Sequence, residues 1–183
     1  HDDGPGQDRS GQGLPAHDPA LTERYTAADA GFRVVSYNTL RTGLFDLERE
    51  QNFARIFKAL NPDIIGMQEM YKADASKTLS KLMALDALDE GYTWYSDKQG
   101  PENIVISRFP IKHSKEIEGG NGAFLVDLPS QYNTDLLLIN AHTPCCDNNE
   151  DRQYEIDIIM AFIRDLKRGR GPFPFAENTP III

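Results

Sequence analysis

Three strongly apolar runs in this chain each end on a polar side chain able to do chemistry. "FRVVSYN" (32–38) ends on Asn38, "DIIGMQE" (63–69) on Glu69 and "DLLLINAH" (135–142) on His142. A carboxylate presented at a strand end can bind a hard cation such as Mg²⁺. An amide can orient the groups around it, and a histidine can donate a hydrogen bond to a phosphate oxygen. Continuously hydrophobic strands that finish in this way describe a scaffold holding a site at one end of a sheet. Each residue also has a plainer reading. Asn38 before Thr39 suits a turn, Glu69 suits the point where a strand meets solvent, Gln68 can satisfy a loop amide, and His142 can be a hydrogen-bonded structural histidine. The joint occurrence carries the signal, not any one residue.

A rival cluster lies in "HTPCCD", which places His142, Cys145, Cys146 and Asp147 close together. Zinc sites built from Cys and His use spaced pairs from two segments, and no second pair occurs here. A cysteine nucleophile beside His142 is the other chemical reading. Adjacent Cα atoms stand about 3.8 Å apart, below the usual disulfide range, so an ordinary structural bridge between the two cysteines is not expected. The default reading is two small, partly buried thiols.

Helices and turns must position these strand ends. In "LEREQNFARIFKAL" (47–60), Phe53, Ile56, Phe57 and Leu60 fall at helical spacing, and Asn61-Pro62 stops the pattern. A second helix is expected from about Ser76 to Leu88, with Leu79, Leu82 and Met83 on one side. Shorter strands follow at 92–97, 103–108 and 122–128, separated by Gly, Pro and Asn turns, with Pro110 opening a further strand. The helix 151–167 carries Ile159, Phe162, Ile163 and Leu166 at helical spacing, and its acidic start suits the helix dipole. "PIII" then begins another strand. Strand-helix-strand-helix, several strands, then strand-helix-strand predicts an α/β or α+β fold with mixed sheets covered by helices.

The first 31 residues are rich in Gly, Asp, Gln and Pro and carry almost no large apolar side chain, so they read as a flexible arm. Residues 32–183 read as the folded domain. The chain opens on His1 rather than Met, and removal of a secretory leader is one explanation. With 183 residues, 40% of them hydrophobic, one sizeable core is expected, and no apolar run is long enough to span a membrane. The net charge of −9 disfavours tight non-specific binding to a phosphate backbone, although a nuclease with a local cationic cleft stays open.

"VVSYNTL", "NPDIIGMQEM", "ENIVISRFPI" and "LLLINAHTP", in this order, resemble the endonuclease/exonuclease/phosphatase superfamily. That group of metal-dependent phosphoesterases includes apurinic endonucleases, pancreatic-type deoxyribonucleases, sphingomyelinases, deadenylases and inositol-polyphosphate 5-phosphatases. The resemblance covers about residues 32–183, and the Gln-Glu after "NPDII" is its most specific element. It implies a four-layer α/β/β/α sandwich with the site at the sheet ends. It implies Glu69 as a metal ligand, Asn38 as a residue organising metal and phosphate, and His142 as a catalytic residue contacting the scissile phosphate. Asn103 becomes a substrate-binding candidate, in a segment where the family's Gly is replaced by Glu102. Arg152-Gln153 matches a helix-start pattern that looks structural.

The resemblance further implies that a strand such as "PIII" runs into a Gly-Asp-x-Asn motif and that a Ser-Asp-His motif closes the domain. Neither occurs in these 183 residues. A C-terminal half missing from this chain, or a second chain, is therefore expected to complete the fold. The implied activity is divalent-metal-dependent hydrolysis of a phosphodiester or phosphomonoester, with Mg²⁺ (or Mn²⁺ or Ca²⁺) as cofactor. The acidic charge favours a small, lipid or sugar phosphate as substrate, with nucleic acid and an extracellular nuclease as the alternative. A catalytically incomplete fragment or binding module is the non-enzymatic reading. A secreted or periplasmic location is expected over a cytoplasmic one.

Overall fold

The computed structural model describes residues 31–183. The flexible arm expected over residues 1–31 lies, Gly31 apart, outside the described residues. From Phe32 onward the chain alternates between short strands and three helices, arranged in four layers.

The first sheet holds β1 (Val34–Asn38), β2 (Ile64–Gln68), β3 (Tyr95–Gln99) and β4 (Asn103–Ser107) in the order β1-β2-β4-β3. β1 runs parallel to β2, with Asn38 opposite Gln68, and β4 runs antiparallel to β2, with Ile104 opposite Met67. The second sheet holds β5 (Ile111–Ile117), β6 (Asn121–Val126), β7 (Leu136–Asn140) and β8 (Ile181–Ile182) in sequence order. β7 and β8 are parallel, and the other pairs are antiparallel. β2, β4, β6 and β7 are buried along their whole lengths, which accounts for their near-continuous apolar sequences.

Alternation along these strands divides the core. Ile65, Met67, Ile104 and Ile106 point outward onto α1 (Glu50–Leu60) and α2 (Ala75–Ala84), where they meet Phe53, Phe57 and Leu82. Ile64, Val105, Phe124, Val126, Leu136 and Leu138 fill the space between the sheets. Ala123, Leu125, Leu137 and Ile139 face α3 (Asn149–Lys167), packing on Ile159, Ile163 and Leu166. The order is therefore helix, sheet, sheet, helix, the sandwich that the sequence resemblance implies.

Local chemistry sets the helix ends. Asn61 adopts a left-handed φ of 43° and returns its N–H to Phe57, ending α1 before Pro62. Asp74 caps α2 by accepting from the Lys77 N–H at 2.7 Å. Asn148 caps α3, with Glu150 and Asp151 in its first turn and Arg164 and Lys167 in its last.

Some expectations shift: α2 ends at Ala84 rather than near Leu88. On α1 the buried stripe is Phe53, Ala54 and Phe57, and Leu60 is 43% exposed, because the helix ends there and turns its last residue to solvent. β3 starts at Tyr95 rather than Tyr92. The Asp89 side chain accepts the Gly91 N–H, the Trp94 indole donates to the Asp89 carbonyl, and Arg108 lies 3.9 Å over the Tyr92 ring, holding 89–94 as a turn.

Beneath one end of the sandwich a polar cluster joins the two sheets. Asn140, 3% exposed, donates to the Met67 carbonyl at 2.9 Å and the Ile104 carbonyl at 3.3 Å, and its oxygen accepts from Gln68. Gly66 permits this approach, since a Cβ there would lie 3.0 Å from the Asn140 oxygen.

Candidate active site

The ends of β1, β2 and β7 and the start of β4 meet above that cluster. Parallel pairing places Asn38 beside Gln68, and the chain then lifts Glu69 beside it at a left-handed φ of 60°. The antiparallel β4 returns to the same end, and Glu102, just before it, reaches the Glu69 N–H. From β7, one residue past Asn140 and Ala141, His142 enters from the second sheet.

Asn38 is the hinge of the group. Its amide nitrogen donates to Glu69 Oε1 at 3.0 Å and stands 3.3 Å from His142 Nε2, while its oxygen accepts the Leu40 N–H at 2.8 Å. Glu69 Oε2 accepts the Arg41 N–H at 2.8 Å. The hydrogen bond from Asn38 leads in holding the Glu69 carboxyl below its ordinary value; partial burial opposes it, and the Arg41 N–H and the nearby His142 and Arg41 charges add to it. Glu69 is thus kept as an anion with oxygen lone pairs to spare.

Glu102 does what the sequence did not reveal. Its Oε2 accepts from His142 Nδ1 at 3.0 Å and from the Glu69 N–H at 3.1 Å. With Nδ1–H committed to Glu102, Nε2 is free to accept from Asn38, so every partner is satisfied by one tautomer. His142 Nε2 lies 3.6 Å from Glu69 Oε1. Beside Glu102, the Tyr71 phenol is pushed up to about 12, first by burial and then by its hydrogen bond to that carboxylate. It remains a donor at neutral pH.

The histidine is held from behind as well. Its N–H donates to the Asn121 side-chain oxygen at 2.8 Å, and Asn121 in turn donates to Glu155 on α3 at 3.2 Å. Arg152, at the start of α3, donates to the Pro144 and Cys146 carbonyls at 2.9 and 2.7 Å, pinning the loop after His142. The structural role read for Arg152 has this physical content. Asn103, in contrast, does not open onto the site: it is 1% exposed, its nitrogen bound to the Gly120 carbonyl at 2.8 Å and its oxygen buried without a hydrogen-bond partner among the described residues. Cys145 and Cys146 are free thiols and exposed, not partly buried, in a loop between β7 and α3.

Among the described residues no group of three or more His, Cys, Asp or Glu side chains is arranged to hold a metal unaided. Mg²⁺ does not require such a cage, since it keeps several waters and takes one or two carboxylates. Glu69, an ionised oxygen donor at a partly open strand end, fits that chemistry. No helix among the described residues is long and apolar enough to cross a membrane.

No protein-family model and no curated protein matches the chain. Solved structures do. A functionally unknown conserved protein from Enterococcus faecalis V583 aligns at 15% identity and TM-score 0.52, over 74% of this chain and 62% of its own. An endonuclease/exonuclease/phosphatase from Beutenbergia cavernae DSM 12333 aligns at 18% identity and TM-score 0.51, over 71% and 43%. TDP2 from C. elegans aligns at 19% identity and TM-score 0.50, over 82% and 49%. The aligned part is therefore less than two thirds of each of those proteins. What the chain shares with them is architecture: it has the endonuclease/exonuclease/phosphatase fold.

Proposed function

We propose that this chain carries part of the active site of a divalent-metal-dependent phosphoesterase, a hydrolase of phosphodiesters or phosphomonoesters. The observation that carries this reading is the meeting of Asn38, Glu69 and His142 at one sheet end, with Asn38 at 3.0 Å from Glu69 and 3.3 Å from His142. Glu69 would hold the cation, Mg²⁺ or in its place Mn²⁺ or Ca²⁺. When bound, such an ion neutralises charge on phosphoryl oxygens. Asn38 fixes the Glu69 carboxylate and the His142 ring relative to one another. Glu102 orients the imidazole and carries the opposite charge whenever Nε2 also bears a proton. His142 then donates to a non-bridging phosphate oxygen as negative charge grows there. The activity is that of the whole protein, whose further residues would activate the water.

A small, lipid or sugar phosphate is the favoured substrate, supported by the net charge of −9. Nucleic acid is the alternative, and secretion or periplasmic export is the setting in which either would be met. The test is hydrolysis of bis(p-nitrophenyl) phosphate and p-nitrophenyl phosphate by the full-length protein. Chelator should abolish it, and Glu69→Gln and His142→Ala should each lower kcat/KM by about a hundredfold or more. Chelator-sensitive activity that survives Glu69→Gln would remove Glu69 from the metal site. Absence of activity in the full-length protein with divalent metal would favour the binding-module reading.

A further inference from the structure

Next to Glu69 the surface opens into a cavity of about 450 Å³ lined by Arg41, Thr42, Phe45, Asp46, Lys72 and Lys77. Three cations face one carboxylate there, in a protein whose net charge is −9. Lys77 shares its charge with Asp74 at 3.3 Å, but the side chains of Arg41 and Lys72 make no hydrogen bond or ion pair among the described residues. Several other cations are matched by carboxylates: Lys58 with Asp86, Lys81 with Glu50, Arg108 with Asp63 and Lys112 with Asp135. Arg41, Lys72 and Lys77 thus bring positive charge together in this recess.

The recess is built rather than incidental. Leu40, Arg41 and Thr42 adopt φ of 52°, 55° and 62°, three left-handed residues in succession without a glycine. Such a turn is costly and persists only where its surroundings enforce it. Here the Arg41 N–H bonds Glu69 Oε2 and the Thr42 N–H bonds the Glu69 carbonyl at 2.7 Å, so one turn shapes both the carboxylate and the cavity wall. Lys98 Nζ donates to the Met70 and Ala73 carbonyls at 3.0 and 2.7 Å, fixing the segment that carries Lys72. Phe45, 39% exposed, supplies an apolar wall.

We propose that this cavity is a second anion subsite. It takes a phosphate group other than the one cleaved, so that the preferred substrate is a small molecule carrying two or more phosphates. This rests on the phosphoesterase reading, which places the scissile phosphate at Glu69 and His142. A recess of ligand size lined by three cations, in a chain of net charge −9, suits a compact polyanion better than a nucleic-acid strand, which wants a continuous basic track.

The test is calorimetric titration of the full-length protein, with Mg²⁺, against fructose 1,6-bisphosphate, fructose 6-phosphate and trithymidylate. The bisphosphate should bind about tenfold or more tightly than the monophosphate, as expected for one added charge-assisted contact set. In Lys72→Gln/Lys77→Gln that ratio should fall towards one, and Lys72→Arg/Lys77→Arg should restore it. Equal affinities for the two sugars in the wild type, or a ratio unmoved by the double glutamine substitution, would overturn the subsite. Tighter binding of trithymidylate than of the bisphosphate would overturn the small-molecule assignment. If Glu69→Gln leaves fructose 6-phosphate binding unchanged while the lysines still govern the bisphosphate, the phosphoesterase reading fails and the anion subsite stands.

Discussion

Replacing Asn38 with alanine removes the group that links Glu69, His142 and the left-handed turn. Its hydrogen bonds to Glu69 Oε1 at 3.0 Å and from the Leu40 N–H at 2.8 Å go at once, together with the 3.3 Å contact to His142 Nε2. A bond to a charged group contributes about 1.5–3 kcal/mol and a neutral one about 0.5–1.5 kcal/mol. Asn38 is exposed, so water replaces part of both, and a loss of about 1–2 kcal/mol is expected. For a chain of this size that lowers Tm by roughly 2–8 °C. The pH dependence is the sharper signature. Glu69 sits below its ordinary value of 4.5, with Asn38 as the leading cause, so its stabilisation is fully present above 4.5 and is lost as pH falls through the lower folded-state value. Thermal unfolding of wild type and Asn38→Ala should therefore differ most near pH 7, and the gap should narrow as pH drops below 4.5. A gap of constant size across that range would refute the claim that Asn38 acts on the Glu69 anion.

Three further outcomes follow from the fold. Asn140→Leu should cost roughly 2–4 kcal/mol in urea unfolding, because Gln68 and the Met67 and Ile104 carbonyls are left buried without their partner; a loss under about 0.5 kcal/mol would mean the sheets do not depend on that cluster. Arg108→Met should cost roughly 2–3 kcal/mol by taking the guanidinium from Asp63, whose side chain is 16% exposed and keeps the Arg33 N–H, and should change the fluorescence of Trp94, the only tryptophan, which lies under the guanidinium at 5.4 Å. An unchanged emission spectrum would argue against that stacking. Leu40→Gly should raise stability by up to about 1 kcal/mol, since a left-handed leucine is relieved at a position 58% exposed, and a fall in the urea midpoint would show that its side chain contributes more than its backbone strain.

Much of this arrangement was legible in the sequence for an identifiable reason. Asn38 ends, and Glu69 and His142 closely follow, a strand whose apolar run can be read directly, and strands sharing one end of a sandwich bring such residues together. Glu102 was not legible in that way. It read as a departure from a glycine, and its partnership with His142 depends on β4 pairing antiparallel to β2, a long-range fact that no local pattern encodes. Asn103, next to it, read as a substrate contact but points inward to Gly120 because side chains alternate along the strand. Asn140 was hidden for a related reason: a polar residue inside "LLLIN" signals a buried bridge only once the second sheet is known to lie opposite. The left-handed turn at Leu40–Thr42 carries no glycine to announce it, since Glu69 and its neighbours enforce the conformation from outside the segment.

The most direct measurement of the central claim is paramagnetic broadening of amide NMR signals by Mn²⁺, in the wild-type protein and in Glu69→Gln. Broadening should centre on Asn38 to Arg41, Glu69, Glu102 and His142 and should disappear in Glu69→Gln. Broadening centred elsewhere, or undiminished by the substitution, would contradict the assignment of this strand-end cluster as a divalent-metal phosphoester site.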